Sequence, residues 1–284
     1  MSDLHGHAHA HGEPTSPLGF TGERVLPDEP EWAWCFQAHK FGYDDLAERI
    51  APGANVLDIG CGEGYGVELL ARTAGEVVGC DYALEAVRHA RDRYGTDRKA
   101  WLVCDAQHLP FKPGAFDVVS SLQVIEHFRD TDAHLRGVAQ TLRPDGWHYV
   151  ATPNIKQMSE AEAANEFHLR DFTAEDLRRS LAEHFAQVDV AGMFYREDSP
   201  RVRAMRDAEA REQRDAGRLA RTERWLAKLP GRVRVTIRPT LRAVLGITDA
   251  NAARNAILAS DFEARPAAEE SFCLIGIARG PRTS

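Results

Sequence analysis

Val56-Leu57-Asp58-Ile59-Gly60-Cys61-Gly62-Glu63-Gly64-Tyr65-Gly66 is the stretch on which the fold of this chain turns. Residues of strand character run into glycines at alternate positions, and a helical pattern starts at Tyr65. A buried strand ending in such a turn brings bare backbone close to a ligand and aims the first N–H groups of the helix at it. The spacing narrows the choice of ligand. The dinucleotide fingerprint G-x-G-x-x-G requires glycine at position 65, where this chain has Tyr65. No Gly-Lys-Ser/Thr follows, which excludes a P-loop. Asp58, just ahead of the glycines, would repel a pyrophosphate and suits an ammonium or a sulfonium.

On either side of this stretch the chain alternates. Strand-length apolar runs lie at Asn55–Ile59, Glu76–Cys80, Ala100–Cys104, Phe116–Ser120 and Trp147–Ala151, with helical stretches at Tyr65–Ala74, Ala83–Tyr94 and Thr131–Thr141 between them. That rhythm specifies an α/β chain whose parallel sheet is covered on both faces. Asp81 closes the second strand, where an acid can accept both hydroxyls of a ribose. Asp105 closes the third, and Asp105-Ala106 can bracket an adenine amino group. Each acid alone reads equally well as a helix cap or turn residue. Together, in phase with the strands, they favour a nucleoside-like ligand at the carboxyl edge of the sheet.

After residue 151 the rhythm changes. Thr173 and Asp176 carry the spacing of a capping box at the start of a helix. Gln187–Tyr195 and Ser271–Ala278 read as strands, with a helical, charged stretch between them. Residues 196–245 hold 14 bases against 7 acids in a chain of net charge −8, so the remainder carries about −15. The expected division is a His-rich tail over 1–17, a helical cover over 18–50, a core over 51–195, a helical insertion over 196–270, and a last strand and tail over 271–284. His5, His7, His9 and His11 alternate in the tail, where a flexible segment holds no fixed metal geometry.

Composition bounds the function. With 43% apolar and 27% charged residues, the chain can bury a core. Its net negative charge gives no global pull toward nucleic acid or anionic membrane, and its basic stretch lacks the interleaved aromatics that stack bases. No apolar run reaches the ~18 residues of a membrane span. Five scattered cysteines without a CxxC pair read as reduced thiols in a cytoplasmic protein.

Five segments in order, VLDIGCGEGYG, VVGCDY, CDAQHLPF, FDVVSSLQVIEHF and LRPDGWHYVATPN, resemble the motif series of class I S-adenosylmethionine-dependent methyltransferases. The resemblance implies a Rossmann-like, seven-stranded, mostly parallel sheet with an antiparallel last strand, here preceded by the helical insertion. It implies S-adenosylmethionine as cofactor, released as S-adenosylhomocysteine. Asp58, Gly60, Gly62 and Gly64 would line the methionine and ribose portion, Asp81 would hold the ribose, Asp105 and Ala106 the adenine, Gln123 would lie beside the cofactor, and Tyr82 would be a further cofactor-binding residue. A narrower similarity rests on Phe20–Pro27, Gln123–His127 and Asn165–Arg170, which look like bacterial methyltransferases of glycan and glycolipid assembly, the methylglucose lipopolysaccharide type. That group shows a Tyr-Trp-Phe-Arg-Arg-His-like run where this chain has Trp34-Cys35-Phe36-Gln37-Ala38-His39. The acceptor so implied is a glycan or glycolipid hydroxyl. A small metabolite of quinone or polyketide type, and a cofactor-binding protein without turnover, are the rival readings.

An alcohol acceptor gains from a base that removes its proton as the new bond forms, and histidine suits that work near neutral pH. His127, just past the fourth strand, and His168, in a polar loop after the fifth, are the leading candidates, with His39 third. Glu126 could orient His127. Each has a structural alternative: His127 at a helix start, His168 as a partner of Asp171 or Glu166. No His/carboxylate spacing marks a metal site.

Overall fold

The computed structural model describes residues 33–158, 167–215, 224–228, 250–266 and 268–282. The tail, Phe20–Pro27, Asn165 and much of the insertion lie outside these residues. Helix α1 (Ala33–Arg49) precedes β1 (Asn55–Ile59), α2 (Tyr65–Leu70), β2 (Glu76–Asp81), α3 (Leu84–Tyr94), β3 (Lys99–Val103) and β4 (Phe116–Leu122). There follow α4 (Thr131–Thr141), β5 (Leu142–Pro153), α5 (Ala174–His184), β6 (Phe185–Tyr195), α6 (Pro200–Arg214), α7 (Ala250–Arg254), β7 (Phe262–Arg265) and β8 (Cys273–Pro281).

The strands form one sheet in the order β3-β2-β1-β4-β5-β8-β6-β7. β1 to β5 pair in parallel, as the alternation predicts, and β8 enters antiparallel between β5 and β6. The sheet has eight strands where seven were expected. The additional strand is β7, which pairs antiparallel with β6 at the edge. Its four residues, Phe262-Glu-Ala-Arg265, are too short to stand out as a strand in a segment read as helical.

The two faces of the sheet are set by alternation along each strand. Val56 and Val118 pack toward Leu46 and Tyr43 of α1 and Val67 of α2. Leu57, Ile59 and Val119 point the other way, toward Leu135 of α4 and Leu177 of α5. Both layers are dry: Leu46, Val56, Leu57, Val119 and Leu177 have no exposed surface. The predicted capping box closes α5, where the Asp176 N–H donates to Thr173 Oγ1 and the Thr173 N–H to Asp176 Oδ2. α6 begins with Ser199 as N-cap and proline at its first position. α1 is tied to the sheet where buried Tyr149 donates its hydroxyl to Asp45 Oδ2, 3.0 Å away.

Candidate active site

The strand order reverses between β1 and β4, and in open α/β sheets ligands sit at such a point, outside the carboxyl ends of the strands. Here those ends border a cleft of about 440 Å³. Gly60, Gly62, Asp81, Tyr82, Asp105, Ala106, Gln123 and His127 all lie on its wall. Eight sequence-predicted residues therefore meet in one cavity.

Two glycines of the turn lie on the cleft wall. Gly60 and Gly62 have φ of +71° and +50°, the left-handed region that disfavours side chains. A Cβ on Gly60 would lie 2.4 Å from Val124 Cγ2, whereas one on Gly62 would meet no atom within 4 Å. Gly62 thus presents bare backbone to open space. Its N–H donates to Asp81 Oδ2 at 3.0 Å, and the Ala83 N–H donates to Asp81 Oδ1 at 2.9 Å. Turn and acid are one hydrogen-bonded unit, and the carboxylate is 93% buried with lone pairs to spare. Asp105 is exposed. It accepts the Gln107 N–H at 2.9 Å and faces His108 Nδ1 at 2.9 Å, which hold its carboxyl below the usual range. Among the described residues no lysine or arginine lines the cleft.

Asp58 and Gly64, expected beside the methionine and ribose portion, are not on the cleft wall. Asp58 alternates with Leu57 and Ile59, so its side chain points to the α1 face of the sheet and is fully buried there. Ser120 Oγ donates to its Oδ1 at 2.7 Å and the Tyr43 hydroxyl to its Oδ2 at 3.1 Å. Burial pushes this carboxyl up to about 7, against those two hydrogen bonds, which lower it. Gly64 starts α2 with its back to Ala90 and Trp101.

Beyond β4 the chain is held in an unusual shape. Gln123 has φ +56°, the only positive φ outside glycine among the described residues. Its N–H donates to the Ala151 carbonyl at 2.8 Å and its amide Nε2 to Cys273 Sγ at 3.4 Å. His127 ends the next turn, with Nδ1 2.9 Å from the Phe167 carbonyl. A carbonyl only accepts, so Nδ1 carries the proton and Nε2 keeps its lone pair in the neutral ring. His168 is off the cleft wall but meets His127 edge to face, ring centroids 5.6 Å apart. Its loop is docked by the Leu169 and Arg170 N–H groups, which donate to the Glu126 carbonyl at 2.9 and 3.1 Å. The Glu126 side chain is fully buried, accepts Thr152 Oγ1 at 2.9 Å, and is pushed up to about 7 by burial although His127 opposes the shift.

Two cleft residues had no sequence signal, and another, His39, was a sequence candidate. Tyr43 of α1 and Tyr65 of α2 line the cleft, yet on an amphipathic helix they read as core. His39 lines it too, with Nδ1 3.3 Å from the Tyr65 hydroxyl, and burial lowers its imidazole to about 4. Among the described residues one group could hold a metal, Asp132, Glu183 and His184; none of the three lines the cleft. Several arginines of α6 and the residues before it are paired within the chain: Arg196 with Asp198, Arg201 with Asp261, and Arg206 with Glu197.

A methyltransferase-domain family profile matches residues 57–150, the segment from β1 to within β5. A Mycobacterium tuberculosis protein named as a probable S-adenosylmethionine-dependent methyltransferase is 37% identical over 191 residues, covering 66% of this chain and 68% of the relative. This chain belongs to the S-adenosylmethionine-dependent methyltransferases. A ubiquinone biosynthesis O-methyltransferase of Mesorhizobium japonicum is 35% identical over 139 residues, 47% of this chain and 55% of that protein. In fold, the methyltransferase is similar to a Thermotoga maritima S-adenosylmethionine-dependent methyltransferase, with a TM-score of 0.56 at 15% identity over 91% of this chain and 97% of the other.

The cleft of the methyltransferase suits its cofactor. Asp81 ends β2, Asp105 follows β3, a glycine leaves backbone bare, and among the described residues no lysine or arginine offers a partner to phosphate. A nucleoside carrying a sulfonium meets these groups without like-charge repulsion.

Proposed function

We propose that this enzyme methylates a hydroxyl oxygen, with a sugar hydroxyl of a glycan or glycolipid as acceptor. The observation that carries the reading is His127 on the cleft wall, its Nδ1 fixed by the Phe167 carbonyl so that Nε2 is left to accept a proton. Bound S-adenosylmethionine supplies an electrophilic methyl group. The chain has then to hold the acceptor in line and take its proton.

In this reading Asp81 accepts the ribose hydroxyls, its second lone pairs being open while Gly62 and Ala83 occupy the first. Tyr82, exposed at the rim, would border the adenosine, with Asp105 and Ala106 at its amino group. Gly60, Gly62 and Gln123 border the methionine end. His127 takes the acceptor proton, and Glu126 beside it stabilises the imidazolium that forms. His168 packs on His127 and orients it, or takes the proton in its place. α1, the described part of the cover over 18–50, shapes the acceptor side, and much of the insertion over 196–270 lies outside the described residues. No helix among the described residues is long and apolar enough to cross a membrane. In this reading the enzyme acts in the cytoplasm; no disulfide joins any of the five cysteines.

A second reading, methylation of a small quinone-type hydroxyl, is favoured by the 35% identity to the ubiquinone pathway enzyme. Incubation with methyl-labelled cofactor and a panel of glucans, glycolipids and catechols separates the two. Label in a sugar ether is the expected result, and label only in catechols would replace the sugar reading. His127→Ala should lower kcat by about 10²–10⁴ with the cofactor Kd unchanged. Full turnover in both His127→Ala and His168→Ala would remove the base assignment.

A further inference from the structure

A second cavity of about 120 Å³ adjoins the cleft, and His39, Leu122 and Gln123 line both. Its remaining wall comes from α1 and from the ends of β5, β6 and β8, and includes Trp34, Ala38, Pro153, Met193, Phe272 and Cys273. These residues are distant in sequence and meet only because β8 inserts between β5 and β6. Phe272 is backed by the rings of Tyr195 and Phe262, at 5.2 and 5.8 Å between centroids, and the Arg254 guanidinium lies 5.9 Å from the Trp34 ring. The chamber is thus a built apolar pocket, and the strained Gln123 backbone forms its partition with the cleft.

Its chemistry selects an occupant. Among the described residues no carboxylate, lysine or arginine lines it, and its polar side-chain groups are the Trp34 indole N–H, the Gln123 amide, the His39 ring and the thiols of Cys35 and Cys273. Gln123 Nε2 gives one of its two N–H groups to Cys273 Sγ, and His39 Nδ1 faces the Tyr65 hydroxyl, which leaves few partners for the several hydroxyls of a sugar. A sugar ring placed inside would leave several hydroxyls without partners, a large penalty in a dry site. Cavities near 150 Å³ hold a benzene ring, so this one takes a group of about six carbon atoms.

We infer that the chamber between α1 and the β5–β8–β6 edge seats an apolar, ring-sized group of the acceptor, so that the acceptor is an amphiphile whose reacting hydroxyl lies next to apolar carbon. The inference rests on the methyltransferase reading and narrows its acceptor: a glycolipid or aryl glycoside fits, and a free glycan does not. Attachment is through the opening beside His39 and Gln123, which leaves the hydroxyl in the cleft.

The test uses the full chain saturated with S-adenosylhomocysteine and titrated with glucose, phenyl glucoside and catechol, followed by turnover of each with S-adenosylmethionine. Phenyl glucoside should bind at least tenfold tighter than glucose. Ala38→Leu, which fills the chamber from α1, should erase that preference and leave the S-adenosylhomocysteine Kd within about threefold. Met193→Ala, which widens the chamber from β6, should extend the preference to naphthyl glucoside and keeps the test open if Ala38→Leu fails to fold. Equal binding of glucose and phenyl glucoside, no binding of any aryl compound, or a preference that survives Ala38→Leu would overturn the chamber assignment. Methylation of glucans and phenyl glucoside at equal kcat/KM would also overturn it and leave the sugar reading standing. Tight binding and methylation of catechol with no sugar methylated would do the reverse.

Discussion

Replacing Asp58 by asparagine tests the main departure of the structure from the sequence. The carboxyl is fully buried and pushed from an ordinary 3.8 to about 7. In the unfolded chain it ionises near 4, so between pH 4 and 7 the folded state holds a proton that the unfolded state has lost. Stability from this group is therefore full below about pH 4 and drains away as pH rises toward 7. Three units amount to about 4 kcal/mol in all, of which roughly 2–3 kcal/mol falls between pH 5 and pH 8. Asparagine keeps the shape and does not titrate. It mismatches one of the two donors, Tyr43 or Ser120, at a cost of about 1 kcal/mol, and Ser120 can turn to the Leu57 carbonyl 3.3 Å away. That cost is the same at both pH values. Urea unfolding of wild type and Asp58→Asn should therefore show the variant gaining about 2–3 kcal/mol on wild type between pH 5 and pH 8. S-adenosylhomocysteine affinity should stay within about threefold, because the carboxylate lies behind the cleft wall. A stability difference that does not change with pH would mean that the group is not buried as described. A hundredfold loss of affinity would return Asp58 to the ligand.

Asp81→Ala removes the acceptor of two backbone N–H groups and, in the proposed reading, of two ribose hydroxyls; calorimetry should show cofactor affinity falling by about 10²–10⁴. Gly60→Ala and Gly62→Ala should separate packing from binding. The first drives a methyl into Val124 and lowers the melting temperature; the second costs about 1 kcal/mol of backbone strain but weakens the cofactor at least tenfold, and equal effects on both measures would refute the distinction. Glu126→Gln keeps the main-chain carbonyl that docks the His168 loop and loses the charge beside His127. kcat should fall at least tenfold with KM unchanged, and an unchanged kcat would leave Glu126 a structural residue.

Much of the core was legible because its signals are local. β1, β2 and β4 lie where the apolar runs put them, and the Thr173 box caps α5 as its spacing requires. Asp81 and Asp105 reach the cleft because a residue at a strand's carboxyl end is at the ligand edge whichever face its neighbours choose. Asp58 shows the limit of that logic. It lies one residue inside β1, so alternation sends it to a face, and the apolar environment of α1 could not be read from the strand itself. β7 escaped for a different reason: four residues carry too little pattern to outweigh the helical stretch around them, and only pairing with β6 makes them a strand.

The acceptor side escaped most completely, and the topology says why. Gln123 and Cys273 are in hydrogen-bond contact across 150 residues of sequence. Gln123 follows β4, Met193 sits on β6, Phe272 precedes β8, and Trp34 is on α1; no window of sequence contains two of them. The cofactor cleft, by contrast, is assembled from consecutive strand ends and so leaves an ordered series of motifs. A cavity made by consecutive turns can be read along the chain. One made by an inserted antiparallel strand can be read only after β8 has been placed between β5 and β6. The binding preference for an apolar acceptor group is for that reason the measurement that bears on the part of this enzyme its motifs do not describe.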